Sequence, residues 1–373
     1  MNTVTPRLFI AATEQDTGKT TMSLGLYAAL SERLGRIGYI KPVGQRFTEV
    51  DGRRIDDDSL LMEAVFQPRI PIEHMSPIAV EPDFTRRYIN ESNHDALAKR
   101  IRNSFDRACW EKDFTIIEGS GHAGVGAVFD LSNATVARLL GSKVLLVTPG
   151  GIGRPIDEGA LNKALFELEG VEIVGVVMNK VLEDKLEYVG DFARRGFRRL
   201  GIELLGVLPM QRMLAQPTLG QVAGKIQGAF HCNAAPAGIV AGEIVIGAVS
   251  SANLPGRLGA GTLLVVPGDR EDIVLAAIAE AEGGKLAGLV LSDGLVPHPK
   301  LMQMLAESGL PVVVSPMDSY SIAKRIHSMR IKLQPGDTEK IQRVKDLVAA
   351  HVDIPRLLEK LGLGGGVWEG FGS

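Results

Sequence analysis

Thr13-Glu14-Gln15-Asp16-Thr17-Gly18-Lys19-Thr20-Thr21 is the stretch whose residue types and order point most directly to chemistry, and that chemistry is phosphate binding. A glycine lets the main chain pass close to an anion, and Gly18 takes that part. Lys19 brings a mobile positive charge to β- and γ-phosphates, and Thr20 offers a hydroxyl to Mg²⁺. A helix starting here adds unpaired N–H groups and the positive end of its dipole. The full pattern, G-x-x-x-x-G-K-[ST], has glycine where this chain has Thr13, and a bare Gly-Lys-Thr can also be an ordinary helix start. The flanks decide for the phosphate loop: Leu8–Ala12 is a short apolar run that reads as a buried strand, and Met22–Leu30 is apolar at helical spacing.

Three further positions could join this chemistry. Lys41 follows an apolar run and precedes Pro42, at a strand end, where a second cation can face a γ-phosphate, a carboxylate or a carbamate. Glu118 closes the run Phe114-Thr115-Ile116-Ile117, where a carboxylate can hold Mg²⁺. Asn179 closes another run, and its amide carries the donor and acceptor needed to pair with adenine. Lys41 could also be a solvated lysine, Glu118 a surface strand-end glutamate and Asn179 an asparagine closing a turn. His122 reads as a loop histidine without a role, and Arg194-Arg195 with Arg198-Arg199 as a solvated helix face. No Ser–His–Asp, Cys–His or zinc spacing occurs.

These residues need a scaffold, and the chain supplies one by alternation. Strands are expected at Ile37–Val43, Phe114–Glu118, Lys143–Thr148, Glu172–Asn179 and Glu203–Leu208. Helices are expected at Ser59–Phe66, Asn93–Trp110, Asn133–Leu140 (capped by Ser132), Ile156–Leu168 and Leu186–Leu200. Pro42 lacks an N–H and should end its ladder. Strands alternating with helices of this length imply a parallel sheet covered on both faces, with its site at the carboxyl ends of the strands. Thr13, Lys41, Glu118, Pro149 and Asn179 all fall there. The segment Gln67 to Ile89 is proline-rich and long for a connection, and is expected to be irregular, a lid or substrate loop.

A second α/β pattern begins past Gln216-Pro217. A helix over Thr218–Ala229 and a small-residue loop over His231–Gly242 lead into it. Its strands are expected at Glu243–Ala248, Thr262–Val266, Leu286–Leu291 and Pro311–Val314, its helices at Glu271–Glu282, Pro299–Glu307 and Ser319–Met329. Short helices at Glu339–Ala350 and Pro355–Leu361 form a tail, and Trp368 and Phe371 could dock the Gly-rich end. The expected fold is therefore a P-loop α/β domain over 1–215, a smaller α/β domain over 216–330 and a helical tail over 331–373.

Ala12 to Thr20, Lys41-Pro42-Val43, Glu118-Gly119-Ser120-Gly121 and Asn179-Lys180 resemble, in order and context, the motifs of dethiobiotin synthetases. Lys41-Pro42-Val43-Gly44-Gln45 is similar also to the N-terminal domain of long bacterial phosphotransacetylases. Pro267-Gly268-Asp269-Arg270 and Ser315-Pro316-Met317-Asp318 resemble the DRTGG-type domain that follows in those proteins. The resemblance covers nearly the whole chain, and 373 residues leave no room for the acyltransferase domain of the long enzymes. It implies ATP and Mg²⁺ as cofactors, with Thr20, Asp58 and Glu118 on the metal. It implies Lys19, Lys41 and Glu118 in catalysis and Asn179 at the base. Asp58 is chosen over Asp56 and Asp57 because the family's aspartate precedes a short helix. Gly44-Gln45 replaces the small hydroxyl residues near the synthetases' diamine, so nucleotide binding transfers better than the biotin-pathway substrate. Glu271-Asp272 departs from the DRTGG signature and leaves that domain's ligand open.

Net charge is −3, from 41 basic and 44 acidic residues, which argues against a nucleic-acid or anionic-membrane partner. Two cysteines, Cys109 and Cys232, make no disulfide framework or metal spacing. No apolar run reaches membrane-spanning length and no basic start precedes an apolar leader, so a cytoplasmic setting is expected. Two functions compete: ATP- and Mg²⁺-dependent activation of a small carboxylate or carbamate, or ATP hydrolysis; and a regulatory module sensing nucleotide and metabolite for an acyltransferase partner. A GTP switch is weaker, because Asn179-Lys180-Val181-Leu182 lacks the aspartate of N-K-x-D. A homodimer formed through the second domain is expected.

Overall fold

The computed structural model describes residues 2–232, 238–281 and 283–364. Contacts divide the chain into two units, Met1–Met210 with Ile341–Ser373, and Gln211–Lys340.

The first unit is built on six strands: β1 (Arg7–Ala12), β2 (Ile37–Ile40), β3 (Phe114–Glu118), β4 (Lys143–Pro149), β5 (Ile173–Val181) and β6 (Leu204–Pro209). Their order is β6-β5-β4-β1-β3-β2, and every pairing is parallel. The strands are near-continuous apolar runs because helices flank the sheet; Leu8 to Ala12 and Val144 to Val147 are fully enclosed. The helices are α1 (Lys19–Leu34), α2 (Asp57–Phe66), α3 (His94–Ala108), α4 (Asn133–Leu139), α5 (Arg154–Leu168) and α6 (Leu186–Arg199). The Ser132 side chain accepts from the Thr135 N–H and caps α4, as its sequence position predicts. Pro42 does end β2, and the chain beyond it forms a separate ribbon, Val43–Gly44 beside Ile78–Ala79.

Within the first 210 residues, two features differ from what the sequence predicts. Phe47–Val50 and Arg53–Asp56 form an antiparallel hairpin. Its turn residues Asp51 and Gly52 have φ of 49° and 72°, the left-handed pair that an Asp-Gly hairpin turn requires. The segment expected to be an irregular lid between Gln67 and Ile89 instead holds helices at Ile72–Met75 and Phe84–Asn90. Met75, Ile78 and Tyr88 are buried, so apolar anchors fix it to the core despite its prolines.

The tail is also divided. A helix starts at Thr338, and from Ile341 onward the chain belongs to the first unit. The second unit has strands β7 (Ala229–Cys232), β8 (Ile244–Ile246), β9 (Thr262–Pro267), β10 (Leu286–Ser292) and β11 (Val312–Val314), ordered β7-β11-β10-β9-β8. β7, unforeseen in the sequence, is antiparallel to β11; the other pairs are parallel. Strand alternation sends Leu264, Val266, Leu289 and Leu291 to one face, under α8 (Glu271–Ala281) and α9 (Pro299–Glu307). Leu263, Val265, Val290 and Val313 go to the other, under α7 (Leu219–Lys225) and α10 (Ser319–His327).

The last helices are α11 (Thr338–His351) and α12 (Ile354–Lys360). Val344, Val348, Leu357 and Leu358 are buried. Val348 lies so close to α1 that a Cβ on Gly25 would come within 2.3 Å of its Cγ2. Trp368 and Phe371 lie outside the described residues. Among the described residues, no helix is long and apolar enough to cross a membrane.

Candidate nucleotide and metal site

The loop between β1 and α1 is anchored from below. The Thr13 N–H donates to Val147 O at 2.9 Å, so Thr13 continues the β1–β4 contact. Its backbone is not left-handed, which is why a glycine is dispensable there. Asp16 does take a left-handed conformation, φ 58°, and Gly18 another, φ 108°. A Cβ on Gly18 would also lie 2.2 Å from Asn179 Nδ2, so both conformation and space demand glycine. The Thr17 hydroxyl closes the loop by donating to Glu14 O at 3.0 Å. Glu14 and Gln15 point outward, Glu14 pairing with Arg154 at 2.6 Å. α1 starts without a side-chain cap. Among the described residues, the main-chain N–H groups of Gln15, Asp16, Thr17 and Gly18 donate to nothing. Unspent N–H groups at a helix N-terminus are an anion cradle.

Below that cradle lies a buried charge cluster. β3 pairs Glu118 with Ile10 of β1, setting its carboxylate beside the loop. Thr20 Oγ1 donates to Glu118 Oε1 at 2.9 Å, and the Tyr39 hydroxyl donates to Oε2 at 3.0 Å. Lys41 Nζ donates to Asp58, and lies 3.2 Å from Asp56 Oδ1 and 3.5 Å from Glu118 Oε1. Exposure is 6% for Lys41, 1% for Asp56, 4% for Asp58 and 0% for Glu118, so these charges are held almost without water. Burial works against the Lys41 charge, but Asp58, Glu118 and Asp56 together outweigh it and hold its pKa well above the ordinary lysine value. Tyr39 is pushed up by burial first and by Glu118 second, and stays a hydrogen-bond donor.

Lys19 differs. Among the described residues its ammonium has no ion-pair partner within reach, and burial lowers its pKa to about 8 against the attraction of Glu118. Thr21 follows it half-buried in the first turn.

Asn179, at the end of β5, is buried under the loop. Its Nδ2 donates to Thr17 O at 2.8 Å, and its Oδ1 accepts from the Lys180 N–H at 2.9 Å. The Lys180 ammonium donates to Asp16 O at 2.5 Å. The two Asn179 bonds together leave one hydrogen and one lone pair of its amide unspent.

The structure thus brings Lys19, Thr20, Lys41, Asp58 and Glu118 together, with Asn179 on the opposite side of the loop. It adds residues the sequence reading passed over. Asp56 caps α2 by accepting from the Asp58 N–H, and its signal was an aspartate one residue before a helix. Tyr39 sits in a strand buried on both faces, where a hydroxyl must find a partner. Asn133 accepts from Ser120 N–H at 3.0 Å and donates to Ser120 O and His122 O, fixing the turn after Glu118. Gly44 is needed because a Cβ there would lie 2.6 Å from Asp56 Oδ2. His122 is exposed, its ring accepting from Gly124 N–H. Cys109 is buried and pushed up to about 11 by burial, so its thiol is inert at neutral pH.

Among the described residues, no group of three or more His, Cys, Asp or Glu side chains is arranged to hold a metal alone. Mg²⁺ does not need one. It takes one or two carboxylates and fills its octahedron with a hydroxyl, phosphate oxygens and water. Thr20 bonded to Glu118, with Asp58 nearby on the shared lysine, fits that demand.

Compared with known proteins, residues 6–218 match the AAA domain family model AAA_26, and residues 221–329 match the DRTGG domain. The chain is 30% identical to a phosphate acetyltransferase of Pseudomonas putida and 29% identical to one of Pseudomonas aeruginosa. Each alignment covers 95% of this chain and 52% of the relative, so the chain spans about half the length of the curated relatives it matches. Among solved structures, the septum site-determining protein MinD of Pyrococcus horikoshii, complexed with Mg-ADP, is similar at 17% identity. That match covers 57% of this chain and 84% of that one at a TM-score of 0.37, too distant to carry an argument.

Proposed function

The chain belongs to the AAA domain family matched over residues 6–218, with a DRTGG domain after it, and we propose that its first unit binds ATP with Mg²⁺ and carries out phosphate chemistry. The Thr20–Glu118 hydrogen bond of 2.9 Å, below a loop of unspent N–H groups, carries this reading. Phosphoryl transfer needs positioning and charge neutralisation more than covalent help. The loop from Thr13 to Thr21 would cradle the phosphates, with Lys19 as their first cation. Thr20, Glu118 and Asp58 would hold Mg²⁺, which when bound neutralises charge on the transferred phosphoryl group. Lys41 is the second cation of the set. The remaining hydrogen and lone pair of the Asn179 amide suit adenine, which is why we place ATP ahead of GTP. The reaction we propose is ATP hydrolysis, or activation of a small carboxylate or carbamate in the manner of dethiobiotin synthetases.

A second reading has its own support. The DRTGG match and the half-length likeness to phosphate acetyltransferases favour a module that senses nucleotide and a small metabolite for an acyltransferase, assembled as a homodimer through the second unit. Phosphate release from ATP and Mg²⁺, with and without candidate acids, separates the two. Turnover that an acid stimulates supports the catalyst. Saturable ATP binding with no turnover supports the sensor.

A further inference from the structure

We propose that Lys41 is a built-in counter-cation held on the oxygens of the proposed divalent-metal position, so that metal and lysine displace one another from Asp58 and Glu118. This rests on the Mg²⁺ reading above and goes beyond it.

The ammonium is enclosed by three carboxylates, Asp56 as the cap of α2, Asp58 in the first turn of α2 and Glu118 at the end of β3. Without it, three negative charges would be gathered away from water, which is far costlier than leaving them paired. The oxygens it uses are the ones a metal needs. Glu118 Oε1 serves both Thr20 and Lys41, and Asp58 is the proposed second carboxylate. Mg²⁺ demands near-ideal octahedral geometry at about 2.0–2.1 Å from its oxygens. An ammonium on those same oxygens would stand against a divalent charge with little water between them, and the two repel strongly in such a setting. Asp56 gives the displaced lysine somewhere to stay. It lies 3.2 Å from Nζ, is no part of the proposed metal set, and is fixed in place as the α2 cap. Metal entry thus frees Lys41 from two carboxylates and leaves it one. While it holds those carboxylates the second cation is withheld from any incoming anion, and it becomes available only after a metal has displaced it.

The full-length protein tests this with Mn²⁺ as the probe, in the absence of nucleotide, with free Mn²⁺ followed by electron paramagnetic resonance. Lys41→Met keeps much of the volume and removes the charge. It should bind Mn²⁺ at least tenfold more tightly than the wild type, and Glu118→Gln introduced into it should abolish the gain. Unchanged or weaker Mn²⁺ binding by a folded Lys41→Met protein would overturn the proposal. Should Lys41→Met fail to fold, wild-type lysine acylation read by mass spectrometry decides. Lys41 should be protected without metal and become reactive as Mn²⁺ is added, whereas equal reactivity in both conditions would overturn the displacement. ATP titration of the wild type keeps the two readings apart. Tight ATP binding with no Lys41 effect sinks this proposal alone, and absent ATP binding sinks the nucleotide reading itself.

Discussion

Lys19 and Lys41 show how similar side chains are given different tasks by their surroundings. Lys41 is locked among carboxylates, whereas Lys19 is largely desolvated and, among the described residues, holds no ion pair, so a bound anion would stabilise its charge. Lys19→Ala should therefore leave the fold intact and cost about 1.5–3 kcal/mol of ATP binding, the worth of a hydrogen bond to a charged group. Calorimetry checks this, and wild-type affinity in the variant would remove Lys19 from the phosphates. Asn179 holds the loop through Thr17 O and is proposed to meet adenine as well, so Asn179→Ala should weaken inorganic tripolyphosphate and weaken ATP more. A loss confined to ATP would assign the amide to the base alone. The loop and its Lys-Thr pair were legible in the sequence because each requires a particular residue type at a fixed offset. Asp56 and Tyr39 were not, since their partners are 79 residues away for Tyr39 and set by the fold for Asp56. A capping aspartate and a core tyrosine look ordinary until the strands are placed.

At the scale of elements, the parallel sheet was readable because doubly covered strands are continuous apolar runs, as Phe114–Glu118 and Lys143–Pro149 are. The Asp51-Gly52 pair is a turn signal, but its strands Phe47–Val50 and Arg53–Asp56 are polar and largely exposed, so no apolar run marks them in the sequence. The docking of α11 and α12 onto the first unit leaves no local trace, because amphipathic helices do not say which surface they cover. Gly25 records it: Gly25→Ala would drive a methyl into Val348 and should cost about 1–3 kcal/mol of stability by overpacking. Denaturant melts would check this, and an unchanged midpoint would mean that α11 is free to move away. Glu203 ties α12 to the start of β6 through Arg356 at 3.0 Å and Lys360 at 2.9 Å. The Arg356 hydrogen bonds, then Lys360, hold the Glu203 carboxyl at about 2, below its ordinary 4.5. A depressed carboxyl contributes stability that is full above the ordinary value and is lost as pH falls toward the folded one. Hydrogen exchange in Ile354–Lys360 should accordingly quicken as pH is lowered from about 4.5 toward 2, beyond its intrinsic pH trend, and Glu203→Gln should show that looseness already at pH 7. Equal protection in variant and wild type at pH 7 would remove this pair from the docking.

For the whole molecule, the first unit is discontinuous in sequence, since it takes in Ile341 onward. A chain cut near Gln216 would keep every proposed nucleotide residue yet lose the helix packed on α1, the helix that opens with Lys19. It should melt earlier than the full chain, and ATP should restore part of the difference by binding only the folded state. An unchanged melting temperature would mean the tail adds nothing. The two α/β patterns were separable in the sequence because each repeats its own strands and helices, but a boundary drawn along the chain could not show the return of the tail. We propose one ATP–Mg²⁺ site, formed by the Thr13–Thr21 loop and the Lys41–Asp58–Glu118 cluster together. Calorimetric titration of ATP into the full chain, with Mg²⁺ and with EDTA, tests it most directly when repeated on Glu118→Gln. Saturable one-to-one binding that Mg²⁺ strengthens is expected in the wild type, with that strengthening lost in Glu118→Gln while metal-free binding persists. ATP binding indifferent to Mg²⁺ in both proteins, or no ATP binding at all, would contradict it.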